Sequence, residues 1–368
     1  MKILRVAGDL YPSIIGGFGI HVHELSKWQV KYGNSVTVFT NNQKRLPELE
    51  NIEGYLVKRF PVRVTLFGNS VSPDLIPAIS KARKKFDIIH AHSHLFFPTN
   101  VCIASRLIGS SPLIVTSHGL TSASAPEWLN TLYANTATKI SFKIADCILC
   151  YTEIEKDKIR KLGIPGEKIR VIHNGVDTSL FTPRKKESDK KYHQLLWVGR
   201  FVPGKGVNNL VDALSRVIRD FPNTRLALVG DGPSRKSIEL QIEHLGLRKN
   251  VEIFDHWDNA KLPELYNQSD IFILPSLMEG VPRAILEAMA CGIPVIITEL
   301  PHLHDIVHGA GLIVPQSDTE KLSCAITQLL NNREMASRLG NAGRAKIVQQ
   351  FSWQDTVEKI LQVYQEFV

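Results

Sequence analysis

Residues 275–297 read PSLMEGVPRAILEAMACGIPVII, and the expected fold and chemistry of the chain follow outward from this segment. Glu279 stands before a turn made by Gly280, Val281 and Pro282. Proline is tolerated in a first helical turn, so a helix is expected to begin near Pro282, with Ala284, Ile285, Ala288 and Met289 on one buried stripe. Glu287 lies beside that stripe, and a carboxylate among Leu286, Ala288 and Met289 is costly unless donors satisfy it. Glu279 and Glu287 stand eight positions apart, a rise of about 12 Å if the intervening chain is helical. The amides of the helix N-terminus would point outward between the two carboxylates. That arrangement suits a nucleotide sugar, with sugar hydroxyls on one carboxylate, the diphosphate on the amides and the ribose on the other carboxylate. Spacing alone equally allows Glu279 to be a solvated turn residue and Glu287 to be satisfied by a buried Arg or Lys.

A chain of 368 residues is more than one average domain, so two domains of similar size are expected. Hydrophobic content of 43% with 22% charged residues describes a soluble globular protein with sizeable cores. No segment approaches the roughly 18 apolar residues that span a bilayer, and MKILRVAGDLYPS reads as a first strand rather than a signal peptide. Cysteines at 102, 147, 150, 291 and 324 make no disulfide framework, which fits a reducing cytoplasm. Cys147 and Cys150 form a Cys-x-x-Cys inside DCILCYT, a buried-strand pattern, so a redox or metal role is disfavoured.

The net charge of +8 favours anionic partners. Arg59, Arg63, Lys81, Arg83, Lys84 and Lys85 gather in the first half of the chain, and a solvated helix face is the plainer reading. The sharper one is a patch resting on anionic lipid headgroups, with Leu66, Phe67, Leu75, Ile76 and Ile79 supplying apolar groups. No nucleic-acid partner is expected, because no such module is recognisable and aromatics are not interleaved with the basic residues.

Strand-like and helix-like segments alternate from the start: ILRVAG, the helical IHVHELSKWQVKYG, VTVFT, and later DIIHAH, LIVTSH, CILCYT and RVIHN. Several strands are continuous apolar runs, the pattern of a parallel sheet covered on both faces. DTSLFTPRKKESDKK, from Asp177 to Lys191, is polar and charged and reads as a hinge or linker. The alternation restarts with HQLLWVGR, a helix from about Val207 to Asp220, RLALVG, a helix from about Ser234 to Leu245, VEIF, IFILPS and PVIIT. From Arg333 the chain is helical in pattern, with a break at Phe351 to Trp353.

Gly16-Gly17-Phe18-Gly19 follows the first strand and precedes a helix. Its spacing departs from the Gly-x-Gly-x-x-Gly dinucleotide fingerprint, and VTVFTNN offers no acidic residue for a ribose, so a dehydrogenase is disfavoured. His118 and Gly119 end the strand LIVTSHG. An imidazole there can donate to a sugar oxygen or steady a developing charge, although an isolated histidine is more often structural. Arg200 and Lys205, in VGRFVPGKGVNNLVDA, flank a Pro-Gly turn that leads into a helix, a good diphosphate clamp or else a surface pair. His90, His92 and His94 alternate, which would place them on one face as in a zinc site. That reading is disfavoured, since no Cys, Asp or Glu is suitably spaced, and His21 and His23 are given no metal role.

The words Glu-Gly-x-Pro, Leu-Glu-Ala-Met-Ala and Gly-x-Pro-Val-Ile strongly resemble the Glu-x7-Glu signature of the family 4 retaining glycosyltransferases. The resemblance extends from Gly16 to Trp353. It implies the α/β GT-B fold, two Rossmann-like doubly wound domains facing across a cleft. Residues 1–180, joined by about 352–368 through a last helix that crosses back, would be the acceptor side, and 190–351 would bind the nucleotide sugar.

For the site, the resemblance implies that the Gly16-Gly17 loop lets donor diphosphate and acceptor come close and that His118 lies at the sugar end. Arg200 and Lys205 would neutralise the departing diphosphate. No Asp-x-Asp occurs in the sequence, and these cations would replace a metal. Glu279 would orient the sugar, and Gly280, Val281, Pro282 and Arg283 would line the donor; Arg283 is a departure, at a position that varies in the family, and near a diphosphate it would add a third cation. Glu287 would grip the ribose, and Asn174, in VIHNGVDTSLF, would order the hinge and line the cleft. The other departure, FDHWDN from Phe254 where relatives usually have a glycine, puts Asp255 to Trp257 where nucleobase contacts are expected and leaves uridine and guanosine both open.

The expected activity is a metal-independent, cofactor-free retaining hexosyltransferase that moves a sugar from a nucleotide diphosphate donor to a hydroxyl acceptor in glycan, glycolipid or polysaccharide synthesis. The acceptor would attack from the leaving-group face, with the β-phosphate helping to take its proton, and hinge closure would exclude water. The carboxylates are too far apart for a glycosidase pair, which needs about 5 to 9.5 Å. The basic N-terminal half suggests a membrane-associated acceptor and a cytoplasmic protein peripheral to the inner face. Two alternatives remain: a nucleotide-sugar epimerase of related architecture, and a non-catalytic sugar-nucleotide or glycan binding protein.

Overall fold

The computed structural model describes residues 1–12, 17–66, 68–109, 111–120, 128, 132–184, 191–255, 257, 261–279 and 282–368. The chain divides into two compact units, Met1–Gly175 with Trp353–Val368, and Val176–Ser352.

Unit 1 contains β1 (Lys2–Val6), β2 (Ser35–Asn42), β3 (Leu49–Ile52), β4 (Tyr55–Pro61), β5 (Val64–Leu66), β6 (Asn69–Val71), β7 (Ile88–His92), β8 (Leu113–Thr116), β9 (Cys147–Cys150) and β10 (Ile169–Val171). Eight of these strands form one sheet in the order β10-β9-β8-β7-β1-β2-β4-β3, and β5 and β6 form a separate ribbon. All pairs in the large sheet are parallel except the β3–β4 hairpin. Alternation along β1 sends Leu4 and Val6 to one core and Ile3 and Ala7 to the other. The first core is closed by helices Leu75–Ala82 and Phe97–Arg106, the second by Gly17–Lys31 and Trp353–Gln365. From β1 the chain winds one way through β2, then the other way from β7. The reversal opens a crevice at the carboxyl ends of β1 and β7, where doubly wound sheets take ligands.

Unit 2 contains β11 (His193–Val198), β12 (Thr224–Val229), β13 (Val251–Phe254), β14 (Ile271–Leu274), β15 (Val295–Thr298) and β16 (Gly311–Val314). They form a parallel sheet in the order β13-β12-β11-β14-β15-β16. Helices Val207–Asp220 and Thr319–Asn331 cover one face, and Leu262–Gln268, Arg283–Ala290 and Pro301–Val307 the other. The winding reverses between β11 and β14, so the second crevice lies after Val198 and Leu274.

Several local expectations change. The segment expected as a linker from Asp177 contributes Phe181 to the unit 2 core, 1% exposed and 5.9 Å from the Tyr266 ring, because an apolar pair, Leu180-Phe181, sits inside its polar composition. Residues 185–190 of that segment lie outside the described residues. The basic patch is smaller than expected. Arg59 is buried, paired with Glu50 at 2.6 Å and donating to the Pro47 carbonyl at 3.0 Å, and Arg83 is buried as well. Leu75 and Ile79 belong to the core, Leu66 and Ile76 are exposed, and Phe67 is outside the described residues. Cys147 and Cys150 pack into opposite cores, and burial pushes the Cys147 thiol up to about 12. No helix among the described residues is long and apolar enough to cross a membrane.

Candidate active site

In unit 2, the loops after β11 and β14 are tied to each other at the switch point. Leu277 N donates to the Gly204 carbonyl at 2.7 Å. Gly206 has φ +65°, and a Cβ there would stand 1.9 Å from the Pro275 carbonyl oxygen, so only glycine lets the loops meet this closely. The contact delivers Lys205 to Glu279. The ammonium lies 2.7 Å from both carboxylate oxygens, and Ser276 Oγ donates to Oε1 at 2.6 Å. Thr298 Oγ1 in turn holds the Ser276 carbonyl. The Glu279 side chain is 6% exposed against 25% for Lys205, so the carboxylate is enclosed and the cation reaches solvent. Arg200, two residues past β11, is exposed.

Helix Arg283–Ala290 starts directly after Pro282, which caps it with extended backbone. Its residues Ile285 to Ala290 are all buried, Glu287 included, so the helix is enclosed more completely than a single stripe implies. Glu287 is satisfied from two sides: Arg283 Nη2 donates to Oε1 at 3.0 Å, and Tyr266 OH to Oε2 at 2.9 Å. Arg283 Nε and Nη1 are buried without a hydrogen-bond partner among the described residues. The buried-arginine reading of Glu287 is thus realised, and each carboxylate oxygen retains a second acceptor site. Burial and the Glu287 charge push the Tyr266 phenol well above 10.0.

In unit 1, β1, β7, β8 and β9 bring a ring cluster to the carboxyl edge of the sheet. His118 follows β8, Tyr151 follows β9, and His21 stands on helix Gly17–Lys31. His92 Nδ1 and His118 Nε2 are 3.2 Å apart, and the Tyr151 hydroxyl is 3.1 Å from His118 Nδ1. His21 Nδ1 meets Asn174 Oδ1 at 2.8 Å. Phe18 packs edge-on to His118 at 4.7 Å. Burial holds His90, His92 and His118 well below 6.5, and the neighbouring imidazoles push the same way. The Glu155 carboxylate braces this edge, accepting from Ser117 Oγ at 2.7 Å and from the Tyr151 amide at 3.1 Å. Desolvation raises its pKa despite these donors.

The three alternating histidines do not share a site. Ser93, with φ +61°, ends the strand geometry, and His94 packs on Phe142 at 4.7 Å. His90 instead bonds Thr116 Oγ1 at 2.6 Å and Tyr364 OH. The imidazoles that converge are His21, His92 and His118, with one nitrogen of each within 4.8 Å of the others. His92 also accepts from Arg5 Nε at 3.2 Å. A metal-bound imidazole donates its second N–H to an acceptor, and Arg5 is a donor only, so His92 is poorly set to ligate a cation.

Lys205 and Glu279 are therefore brought together, as are Arg283 and Glu287, and in unit 1 His118 is joined by Asn174 through His21. Gly17 begins its helix, exposed, with nothing within 4 Å of a Cβ placed there. Gly16, Gly280 and Val281 lie outside the described residues. Sequence reasoning did not find Tyr266, Ser276, Tyr151 or Arg5. Arg5 alone carried a signal, a charge inside the apolar run ILRVAG, since a buried arginine needs partners.

Two family models meet at residue 180. Glycosyltransferase Family 4 matches residues 15–180, and Glycosyl transferases group 1 matches 180–346. A glycogen synthase of Mycobacterium tuberculosis is 26% identical over 99% of this chain and 94% of its own length. The UDP-Gal:alpha-D-GlcNAc-diphosphoundecaprenol alpha-1,3-galactosyltransferase of Escherichia coli is 28% identical over 78% of this chain and 77% of its own. Among solved structures, Anabaena HepE in complex with UDP superposes with a TM-score of 0.80 at 21% identity, covering 100% of both chains. The architecture is the two-domain GT-B fold. The chain belongs to glycosyltransferase family 4.

Proposed function

We propose that this glycosyltransferase is a metal-independent, retaining hexosyltransferase that uses a nucleoside diphosphate sugar, most simply a UDP-sugar, and a hydroxyl acceptor. The observation that carries the reading is the Lys205–Glu279 pair at the unit 2 switch point, with exposed Arg200 in the same loop and Glu287 on the adjoining helix. Lys205 and Arg200 stabilise the charge that develops on the departing diphosphate. Glu279, freed of its partner as Lys205 turns to phosphate, takes the sugar hydroxyls, and Glu287 takes the ribose. The helix N-terminus at Arg283 favours the phosphate charge.

His118 supports the sugar from a neutral imidazole. The acceptor hydroxyl attacks the anomeric carbon on the face the diphosphate leaves. The C–O bond to the β-phosphate breaks as the new glycosidic bond forms, and the acceptor proton passes to the β-phosphate oxygen, so configuration is kept. The donor-only contact of Arg5 with His92 supports chemistry without a metal on the histidine cluster. The UDP complex of HepE and the named activity of the Escherichia coli relative support a uridine donor and a lipid-linked glycan acceptor. The exposure of Leu66 and Ile76 and of the basic residues Arg63, Lys81, Lys84 and Lys85 supports peripheral attachment to an anionic membrane.

Thermal stabilisation by UDP, GDP, ADP and TDP in the presence of chelator tests the reading. Ligand at about a hundred times its dissociation constant stabilises the fold by roughly 2.7 kcal/mol. A selective response with chelator present supports it and directs the choice of glucose, mannose, galactose and N-acetylglucosamine donors. No response to any nucleotide would sink it, and a response only with metal would remove metal independence.

A further inference from the structure

Arg5 is wholly buried in β1. Its Nε donates to His92 Nε2 at 3.2 Å, Nη1 to Ser26 Oγ at 2.7 Å and Nη2 to Gln29 Oε1 at 2.7 Å. Ser26 Oγ donates onward to the Val22 carbonyl at 2.6 Å, so helix Gly17–Lys31 fixes the guanidinium from two sides. Arginine has no acceptor, and His92 Nε2 must therefore be the bare nitrogen of its ring. A neutral imidazole then carries its hydrogen on Nδ1, which faces His118 Nε2 at 3.2 Å. That nitrogen accepts in turn, and His118 is left with its hydrogen on Nδ1, the atom nearer the Tyr151 hydroxyl, 3.1 Å against 3.4 Å for Nε2. Desolvation keeps both rings neutral, which the chain of hydrogen bonds requires.

We propose that Arg5, acting through His92, is a positioning residue that locks His118 in its Nδ1–H tautomer, so that Nδ1–H, which faces the Tyr151 hydroxyl in this structure, is the one imidazole donor His118 has to share with a ligand oxygen. The catalytic part of this inference rests on His118 serving the donor sugar. The tautomer itself does not.

The test is nitrogen-15 NMR of the histidine-labelled full-length protein near neutral pH, followed by kinetics of His92→Phe. In the wild type, His118 should show a protonated Nδ1 and a bare Nε2; a protonated Nε2 overturns the proposal. In His92→Phe the ring is released, and a mixture of tautomers should appear. It should be accompanied by a fall in kcat of about tenfold or more, the sort of penalty a wrong imidazole tautomer brings, with the KM for donor little changed. Redistribution of the tautomer with kcat intact would overturn the positioning role. Should His92→Phe not fold, Gln29→Leu keeps all the rings and removes the acceptor of Arg5 Nη2 together with the Gln29 contact to Tyr364; it should shift the His92 and His118 signals in the same direction, and unchanged signals there would count against Arg5. If the wild type transfers sugar from no donor, the glycosyl-transfer reading fails on its own, and the tautomer signals still decide whether Arg5 governs His118.

Discussion

Lys205 Nζ contacts both carboxylate oxygens of Glu279 at 2.7 Å, and this contact joins the two strand ends of the unit 2 switch point. Removing the lysine alone leaves an enclosed carboxylate with only Ser276 as its side-chain donor among the described residues. Lys205→Met should lower stability by about 2 kcal/mol, below the full value for a buried pair because the cation is partly solvated. Adding Glu279→Gln to Lys205→Met should restore most of that stability in urea titration while transfer stays lost. Glu279→Gln alone should cut kcat more than donor affinity. If the double variant is no more stable than Lys205→Met, the pair is not what holds the loops.

Gly204 and Gly206 flank the same lysine, and both have positive φ, +88° and +65°. A Cβ at 204 meets nothing within 4 Å, whereas at 206 it meets the Pro275 carbonyl at 1.9 Å. Gly204→Ala should cost about 1 kcal/mol of backbone strain and leave nucleotide binding near wild type. Gly206→Ala should push the β14 loop away, cost about 3 kcal/mol or more, and abolish the nucleotide-dependent thermal shift. Equal behaviour of the two variants would contradict the close approach.

His94 provides a pH signature. Burial lowers its pKa from 6.5 to about 4, so the unfolded chain takes up this proton before the folded one does. Stability from the neutral ring is complete above about pH 6.5 and drains away as pH falls toward the folded value, about 3 kcal/mol over the whole window. Both ring nitrogens are without a hydrogen-bond partner among the described residues. His94→Leu should therefore raise the urea midpoint at pH 5 relative to wild type and leave stability at pH 8 within about 1 kcal/mol. A loss of the same size at both pH values would argue against this account.

Glu287 is held by Arg283 and Tyr266 before any ligand arrives. Glu287→Gln should weaken binding of a nucleoside diphosphate about tenfold, the worth of a hydrogen bond to a charged acceptor, and leave the affinity for pyrophosphate unchanged. Calorimetry with both ligands separates the ribose from the phosphates. Arg283→Leu should weaken pyrophosphate too if its unused Nε and Nη1 serve the phosphates.

The central sheet strands were legible because apolar runs such as LIVT and CILC bury both faces, and helix Val207–Asp220 runs between the residues its periodicity indicates, whereas β3 and β4 at one edge of the first sheet and β16 at one edge of the second were not read. Phe181 was not, because two apolar residues in a charged stretch give no period, and only tertiary contact with Tyr266 decides their burial. At the site, the motif residues were readable one at a time. Their partners were not: Lys205 and Glu279 are 74 positions apart in sequence, and it is the crossover from β11 to β14 that joins them. The histidine cluster shows the same limit. Alternation suggested His90, His92 and His94, yet the positive φ of Ser93 breaks the alternation and β8 delivers His118 in place of His94.

Gly175 and Trp353 mark where the chain leaves and re-enters unit 1, so closely packed that a Cβ on the glycine would lie 2.7 Å from the indole. The next residues on each side, Val176 and Ser352, pair as a parallel bridge. Unit 2 therefore begins and ends at one point, in the manner of an insert spliced into a host chain. Two cuts at this seam release a cassette whose ends are already adjacent, and the remaining host needs only a short bridge to be continuous. The half that carries Lys205, Glu279 and Glu287 can thus be lifted out as a single block of chain, with both of its ends at this one seam.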